Sequence, residues 1–333
     1  MAVLVTGGLG YVGSHAVKLL VDRGTEVVNL DDLSYGHRGA ACGSEVVVGD
    51  IGDARLLRGI FSRHQIDAVM HFAAFADVGE SVADPRKYYT NNISKSLVLL
   101  DEMLAAGVKK MIFSSSAAVF GEPEAVPIPE EHPKDPTNPY GRSKLMLEQI
   151  LAEYDRAYGL KSVSLRYFNA SGADPSGTIG EDHSPEHHLI PLVLDAALGK
   201  REDIKVFGTD WPTPDGTCIR DYVHVTDLAE AHFLALEALE SGGPSTVYNM
   251  GNGSGYSVKE VISAAEDVTG RKVNAVPAPR RPGDPARLVA SSEKIKRELG
   301  WEPRYRDLRT IIETAWKWHS SHPNGFGDRR DVG

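Results

Sequence analysis

Cysteine is nearly absent: the 333 residues hold two, Cys42 and Cys218, and no CxxC pair. That excludes a disulfide framework and a cysteine zinc site, and it suits a reducing, cytoplasmic setting. No apolar run approaches the roughly 20 residues that span a bilayer. The opening "MAVLVTGG" passes straight into a strand and a glycine turn, with no basic n-region and apolar h-region, so no secretory leader is expected. Excess positive charge is missing too. A net charge of -10 argues against a nucleic-acid or anionic-membrane binder, while a local basic pocket stays open. "NAS" at 169–171 matches a glycosylation acceptor only by coincidence in such a chain. What remains is ordinary for a globular protein: 41% hydrophobic, 25% charged, and long enough for two domains or one large domain with a lobe.

The first half alternates. Short apolar runs at 2–5, 26–30, 45–48, 67–72, 109–113 and 161–166 are separated by helix-like segments at 12–22, 53–63, 86–106 and 140–157. This pattern predicts an α/β fold: a Rossmann-type doubly wound parallel sheet, whose ligands lie beyond the carboxyl ends of the strands. After about residue 170 the texture changes, and "NASGADPSGTIGEDHSPEHH" is a turn-rich functional loop. Residues 1–170 are assigned to the cofactor domain, with a later segment near 220–250 returning to it. Residues 171–325 are assigned mainly to a smaller mixed α/β substrate lobe, and 326–333 to a loose tail. Trp301, Trp316 and Trp318 are expected to pack that lobe.

"VLVTGGLGYVGSHAVKLL" sets Gly7, Gly10 and Gly13 between a strand and an apolar-periodic helix. One glycine makes the turn, one lets the backbone approach a pyrophosphate, and one allows close helix packing. Asp31 ends the second strand 18 residues after Gly13, where a carboxylate binds adenosine ribose hydroxyls and favours NAD over NADP. Nearby His37 and Arg38 pull the other way. Asp50 and Ile51 end the third strand, fit to accept from the adenine amino group and to pack its ring. Ala73, Ala74 and Ala76 keep the fourth strand's tip small.

Three serines, Ser114 to Ser116, tip the fifth strand. Asn138 and Pro139 then open a helix bearing Tyr140 and Lys144 one turn apart, with Leu145, Leu147 and Ile150 on an apolar stripe. A phenol near pKa 10 is a poor base, and an adjacent ammonium favours its phenolate. Such a tyrosinate can take a hydroxyl proton while hydride leaves the same carbon.

These motifs resemble the extended short-chain dehydrogenase/reductase superfamily. "GESVADPRKYYTNN", "FSSSAAVFG", "PYGRSKLMLEQIL", "LRYFNASGADPSG", "GTDWPTPDGTCIRDYVHVTDLAEAH", "YNMGNGSGYSVKEVI" and "RRPGD" are similar to the UDP-glucose (UDP-galactose) 4-epimerases, to about Gly325. The resemblance implies C4 epimerisation of a UDP-hexose with NAD in galactose metabolism, and a homodimer through helices 86–106 and 140–157. It implies Ser116, Tyr140 and Lys144 as catalytic residues. Tyr11, Val12, Phe72, Asn91 and Phe168 join Asp31, Asp50 and Ile51 as NAD contacts. It implies Asn169, His188, Val206, Phe207, Arg220, Tyr222, Arg281, Asp284 and Leu288 as substrate contacts, the two arginines gripping the diphosphate.

Three departures stand out. Ala76 replaces a lysine of some relatives, and His188 replaces an asparagine. Leu288 stands where relatives carry tyrosine or a smaller residue, which suggests room for an N-acetylated sugar. A UDP-xylose epimerase remains an alternative. A 4,6-dehydratase is disfavoured, because Ala117 and Ala118 occupy the places of its acid pair, and a non-catalytic NAD-binding protein would be expected to lose part of the Ser/Tyr/Lys set. The spacing of His183, His187 and His188 matches no standard metal motif, so no metal site is expected. His71 is expected to be a core histidine, and Cys42 to be inert.

Overall fold

The computed structural model describes residues 1–281 and 284–328. Pro282 and Gly283 of the "RRPGD" stretch, and 329–333 of the tail, lie outside the described residues.

Six strands appear where the apolar runs stand: β1 (Ala2–Thr6), β2 (Glu26–Asp31), β3 (Glu45–Val48), β4 (Ile66–His71), β5 (Lys110–Ser114) and β6 (Lys161–Tyr167). With a seventh strand, Thr246–Met250, they form one parallel sheet in the order Thr246–Met250, β6, β5, β4, β1, β2, β3. The winding reverses between β1 and β4, which opens the ligand crevice at their carboxyl ends. Val3, Val5, Met70, Ile112 and Leu165 face one layer of helices, and Leu4, Val28, Val69, Met111 and Phe113 face the other. That two-sided burial is why the strands read as unbroken apolar runs.

The helix Val225–Glu240 packs Leu228, Ala231, Ala235 and Leu236 onto the same core as Val17 and Leu20. Trp301 lies in this core with its indole N–H on Asp227 O at 2.9 Å, so it packs the main sheet and not the lobe as expected. A second core forms where the helices Leu189–Ala197, Val258–Thr269 and Leu308–Ser321 meet. Beside it run short pairings: Asn169–Ser171 with Tyr222–His224, Ile204–Phe207 with Ala275–Ala278, and Ile219–Arg220 between Tyr256–Ser257 and Arg287–Leu288.

The expected 86–106 helix is interrupted. Pro85–Tyr89 and Ser96–Ala105 are α-helical, and Thr90–Lys95 between them is a π-turn, a distortion often found at functional sites. The expected loose tail is anchored as far as Asp328. Phe326 N–H donates to Asp182 Oδ2 at 2.9 Å, and Phe326 stacks on His37 with ring centroids 4.9 Å apart. Among the described residues no helix is long and apolar enough to cross a membrane.

Candidate active site

The glycines divide the work as their surroundings dictate. Gly7 has φ +72°, and a Cβ there would sit 2.5 Å from Ala73 N. A Cβ on Gly13 would collide with Gly7 O and Gly8 Cα. One on Gly10 would meet nothing nearer than Gly7 O at 3.5 Å. Gly7 thus makes the turn, Gly13 the close packing, and Gly10 the open cradle. No side chain caps the helix Tyr11–Asp22 that follows, so its first N–H groups face the cradle. Asp31 accepts from Leu9 N at 3.0 Å and Leu33 N at 2.8 Å, which fixes its carboxylate beside the turn. Burial raises its pKa, and those two bonds oppose the rise. These residues fit a dinucleotide: an uncapped helix start, an open glycine and a fixed carboxylate at the ribose position.

His37 is no phosphate ligand in waiting. Its Nδ1 lies 2.6 Å from Asp328 and its Nε2 3.0 Å from the Asp182 carbonyl. Asp50 forms an ion pair with Lys95, and its other oxygen takes Gly52 N at 2.7 Å. Ile51 is buried beside them. Phe72 turns its ring onto His232, with centroids 4.7 Å apart, while its N–H and that of Ala73 both bond Thr6 O. The Tyr11 hydroxyl is committed to Gly172 O at 2.7 Å, and Val12 packs on the sheet core. Asn91 donates to Asn92 at 3.1 Å inside the π-turn.

At the next strand tips stand the serine, phenol and ammonium. Asn138 caps the helix Pro139–Tyr158 through Gly141 N at 2.8 Å. Gly141 lets that helix close onto the Ser116 turn, since a Cβ there would be 2.9 Å from Ala118 C. Ser116 stands beside the Tyr140 phenol and favours its phenolate. Lys144 donates to Ser114 O at 2.8 Å, 5.8 Å from the Tyr140 ring centroid. Burial pushes Lys144 down to about 7. Burial raises the Tyr140 phenol, and Ser116 opposes the rise.

Sequence inspection missed the supports beneath. Asn92 bonds both polar atoms of the Phe75 backbone at 3.0 Å and Ser143 Oγ at 3.1 Å, tying the β4 tip to the Tyr140 helix. Arg166 grips Glu148 with two buried bonds of 2.9 and 2.5 Å, and Ser115 Oγ donates to the same carboxylate at 2.5 Å. Tyr167 shares a 2.5 Å bond with Ser114. His71 is indeed a core residue, bonded to Thr6 at 2.7 Å and Ser96 at 3.0 Å, and burial pushes it down to about 3. Burial pushes the Cys42 thiol up to about 11, which keeps it inert.

The lobe completes the cleft. Asp284 sits between the two arginines, 2.8 Å from Arg281 Nε and 3.7 Å from Arg220 Nη2. Arg220 also donates to Ile219 O and Pro285 O at 2.9 Å, and Arg281 lies 4.9 Å over the Phe207 ring. Val206 points into the lobe core, as does Tyr222, whose phenol is raised by burial and lowered by both arginines. Asn169 donates to Asp221 O at 2.9 Å. Leu288 packs on the cluster of Ala117, Val119, Phe120 and Ile128, as do Leu145 and Phe168, so it joins the segment after Ser116 to the arginine side. His188 turns one ring nitrogen to two glutamates. Its Nδ1 lies 2.8 Å from Glu181 and 3.0 Å from Glu186, which leaves Nε2 to meet a nucleotide sugar. The set Glu181, His183, Glu186 and His188 converges within 4.8 Å, a grouping the histidine spacing alone did not reveal.

Comparison with known proteins agrees with this geometry. The chain is 56% identical over 326 residues to a UDP-glucose 4-epimerase of Halalkalibacterium halodurans, covering 98% of both chains. It superposes with TM-score 0.93 on the Brucella ovis UDP-glucose 4-epimerase in complex with NAD, at 48% identity and covering 95% of this chain and 97% of that one. The Bifidobacterium longum enzyme in complex with NAD+ and UDP gives TM-score 0.92 at 40% identity, covering 98% and 100%. Residues 3–251 match the family described as NAD dependent epimerase/dehydratase, and the chain belongs to that family.

Proposed function

We infer that this protein reversibly inverts C4 of a UDP-hexose, interconverting UDP-glucose and UDP-galactose through a transient 4-keto sugar. The observation that carries this is Tyr140 beside the buried Lys144 on one helix, set against the Ser114–Ser116 strand tip on the same sheet edge as the open glycine cradle. Gly7, Gly10, Gly13 and Asp31 would hold NAD, with Tyr11, Val12, Asp50, Ile51, Phe72, Ala73, Ala74, Asn91 and Phe168 around it. NAD held there would supply the hydride acceptor and donor for C4.

The chain's own residues do the rest. Tyr140 takes the O4 proton, and Ser116 assists the relay. Lys144 holds a positive charge near the phenol, which favours the phenolate that burial opposes. Arg220 and Arg281 exchange Asp284 for the diphosphate, so the nucleotide stays gripped while the ketone turns over. Asn169 and Tyr222 flank that grip, and Asp284 then serves the uridine ribose. Purified protein should form UDP-glucose from UDP-galactose without added oxidant. No product under those conditions would overturn the assignment.

Leu288 favours a wider substrate range. It packs beside Ala117 and Phe168, and leucine is smaller than the tyrosine of some relatives. UDP-N-acetylglucosamine should therefore turn over too, and an inert N-acetyl sugar would remove that reading. Residues 171–325 form mainly the substrate lobe in this scheme, while Val225–Glu240 and Thr246–Met250 serve the NAD half. Met146 and Tyr158 leave apolar surface on the Pro139–Tyr158 helix, which suits a homodimer through that helix and 86–106. Light scattering of the purified protein checks it. Two free cysteines suit the cytoplasm.

A further inference from the structure

The loop 181–188 holds four side chains that the scheme above does not use. His183 Nδ1 lies 3.1 Å from Glu181 and 3.7 Å from Glu186. His188 Nδ1 lies 2.8 Å from Glu181 and 3.0 Å from Glu186. The same nitrogen of both rings faces the same two carboxylates, and the four ligand atoms all fall within 4.8 Å of one another. Each Nδ1 carries at most one hydrogen, yet each faces two acceptors. Two charged rings balance the two carboxylates as ion pairs, and one cation at the middle meets all four ligand atoms in their place, with both rings neutral.

Spacing and chemistry agree. Zinc bonds to nitrogen and oxygen of about 2.0–2.1 Å put tetrahedral neighbours about 3.3 Å apart. The N···O separations of 2.8 to 3.7 Å straddle that value, so small side-chain shifts suffice. Two imidazoles select against magnesium and calcium, which prefer all-oxygen shells. Outer contacts orient the set. Glu186 Oε1 accepts from His187 N at 2.7 Å and His188 N at 2.8 Å. A cavity of about 350 Å³, lined by Glu181, His183, Glu186, Asp195 and His319, gives an entry path.

We propose that Glu181, His183, Glu186 and His188 bind one divalent transition-metal ion of the zinc class, as a structural strap. The loop's other contacts explain the role. The His183 ring meets the edge of Tyr11 at 6.2 Å, beside the glycine turn. His187 pairs with Asp77 at 3.1 Å past the β4 tip, and Glu181 O takes the Trp318 indole N–H at 3.1 Å. The ion would pin one loop to the cofactor half and to the last helix together. The assignment is independent of the sugar chemistry proposed above, because its readout is metal content.

The experiment uses full-length protein carrying no histidine tag. Titration with zinc chloride should saturate at one ion per chain and raise Tm, and cobalt(II) should give the strong visible bands of a tetrahedral site. The double variant His183→Ala/Glu186→Gln should lose all three responses. Equal binding by both proteins, or none by the wild type, overturns the site. If the variant fails to fold, anomalous scattering at the zinc edge from wild-type crystals decides. A peak among the four side chains supports the strap, and its absence there overturns it.

Discussion

Lys144 is 4% exposed and bonded to a main-chain carbonyl, whereas the Arg281 side chain is 55% exposed and leans on an aspartate. Both are cations assigned to ligand, and they mark two ways of building one cleft. The Tyr140 side is fixed before any substrate arrives, by Gly141 against Ala118, by Asn92 across Ser143, and by Glu148 with Arg166 beneath. Its desolvation cost is already borne by the fold, as the depressed Lys144 shows. The arginine side is held by contacts that ligand can displace. Its side chains give up rotamer freedom at binding, so its energy appears as affinity. The difference predicts that the two sides govern different kinetic constants.

The largest effect should come from Tyr140→Phe, which removes the proton acceptor and leaves the ring. A positioned acid–base group contributes roughly 10²- to 10⁴-fold. The variant should lose about that much in kcat while UDP affinity stays near wild type. A variant that weakens UDP binding and keeps kcat would break the comparison.

Next is a buried charge within the softer side. Asp221 is fully buried between Arg220 and Tyr222, accepting from Asn252 N at 2.7 Å, Ala290 N at 3.1 Å and Gly253 N at 3.3 Å. Burial pushes its carboxyl up to about 6 from an ordinary 3.8, against those bonds. The folded acid therefore holds its proton more tightly than the unfolded chain. Stability is gained as pH falls from about 6 to 4, and is lost as pH rises through that window. Relative to Asp221→Asn, the wild type should gain up to about 3 kcal/mol on acidification from pH 8 to about 4. Urea unfolding of both proteins at the two pH values measures it, and a constant gap sinks the idea.

The arginines come third. A charge-assisted hydrogen bond contributes about 1.5–3 kcal/mol, or roughly 10- to 150-fold. Arg220→Ala should raise KM by about that range and leave kcat within a few-fold. Arg281→Ala should cost less, because its exposed side chain gives up more freedom on binding. Substrate titration of the steady-state rate separates the two, and a larger loss for Arg281 would reverse their ranking.

The fold was legible where a local pattern carries it. Apolar runs marked β1 to β6 because both sheet faces are covered, and the glycine spacing marked the first turn. The Tyr140 helix was legible from its cap at Asn138 and its stripe over 140–157. Other features depend on partners far apart in the chain. Asn92 meets Ser143 across 51 positions, and nothing local marks either residue. Trp301 reads as a lobe aromatic until Leu228 and Ile295 close around it. The two-residue strands Ile219–Arg220 and Arg287–Leu288 are too short to show a period. At 181–188 counting histidines hid the glutamates, and the resemblance gave His188 to the sugar while the fold turns it to Glu181. Docking of the chain end through Phe326 was invisible for the same reason, since its partner Asp182 lies 144 positions away.

The smallest effect tests where the two sides meet. Leu288 belongs to the pairing beside Arg220, and it also packs on Ala117 of the Ser116 turn. In the proposed scheme it would border the sugar, with its side chain apart from the proton relay and its backbone paired with Arg220. Replacing it with tyrosine fills space beside the sugar and leaves both sets of polar contacts in place. Steric differences of this size are worth about 1–3 kcal/mol between related substrates. Leu288→Tyr should lower kcat/KM for UDP-N-acetylglucosamine by about tenfold or more, and change that for UDP-glucose by a few-fold at most. Measuring both substrates on one preparation cancels any loss of active protein. Equal losses on both sugars would mean that Leu288 holds the Ser116 turn in place. The boundary between the fixed side and the yielding side would then lie further out, toward Phe207 and Arg281.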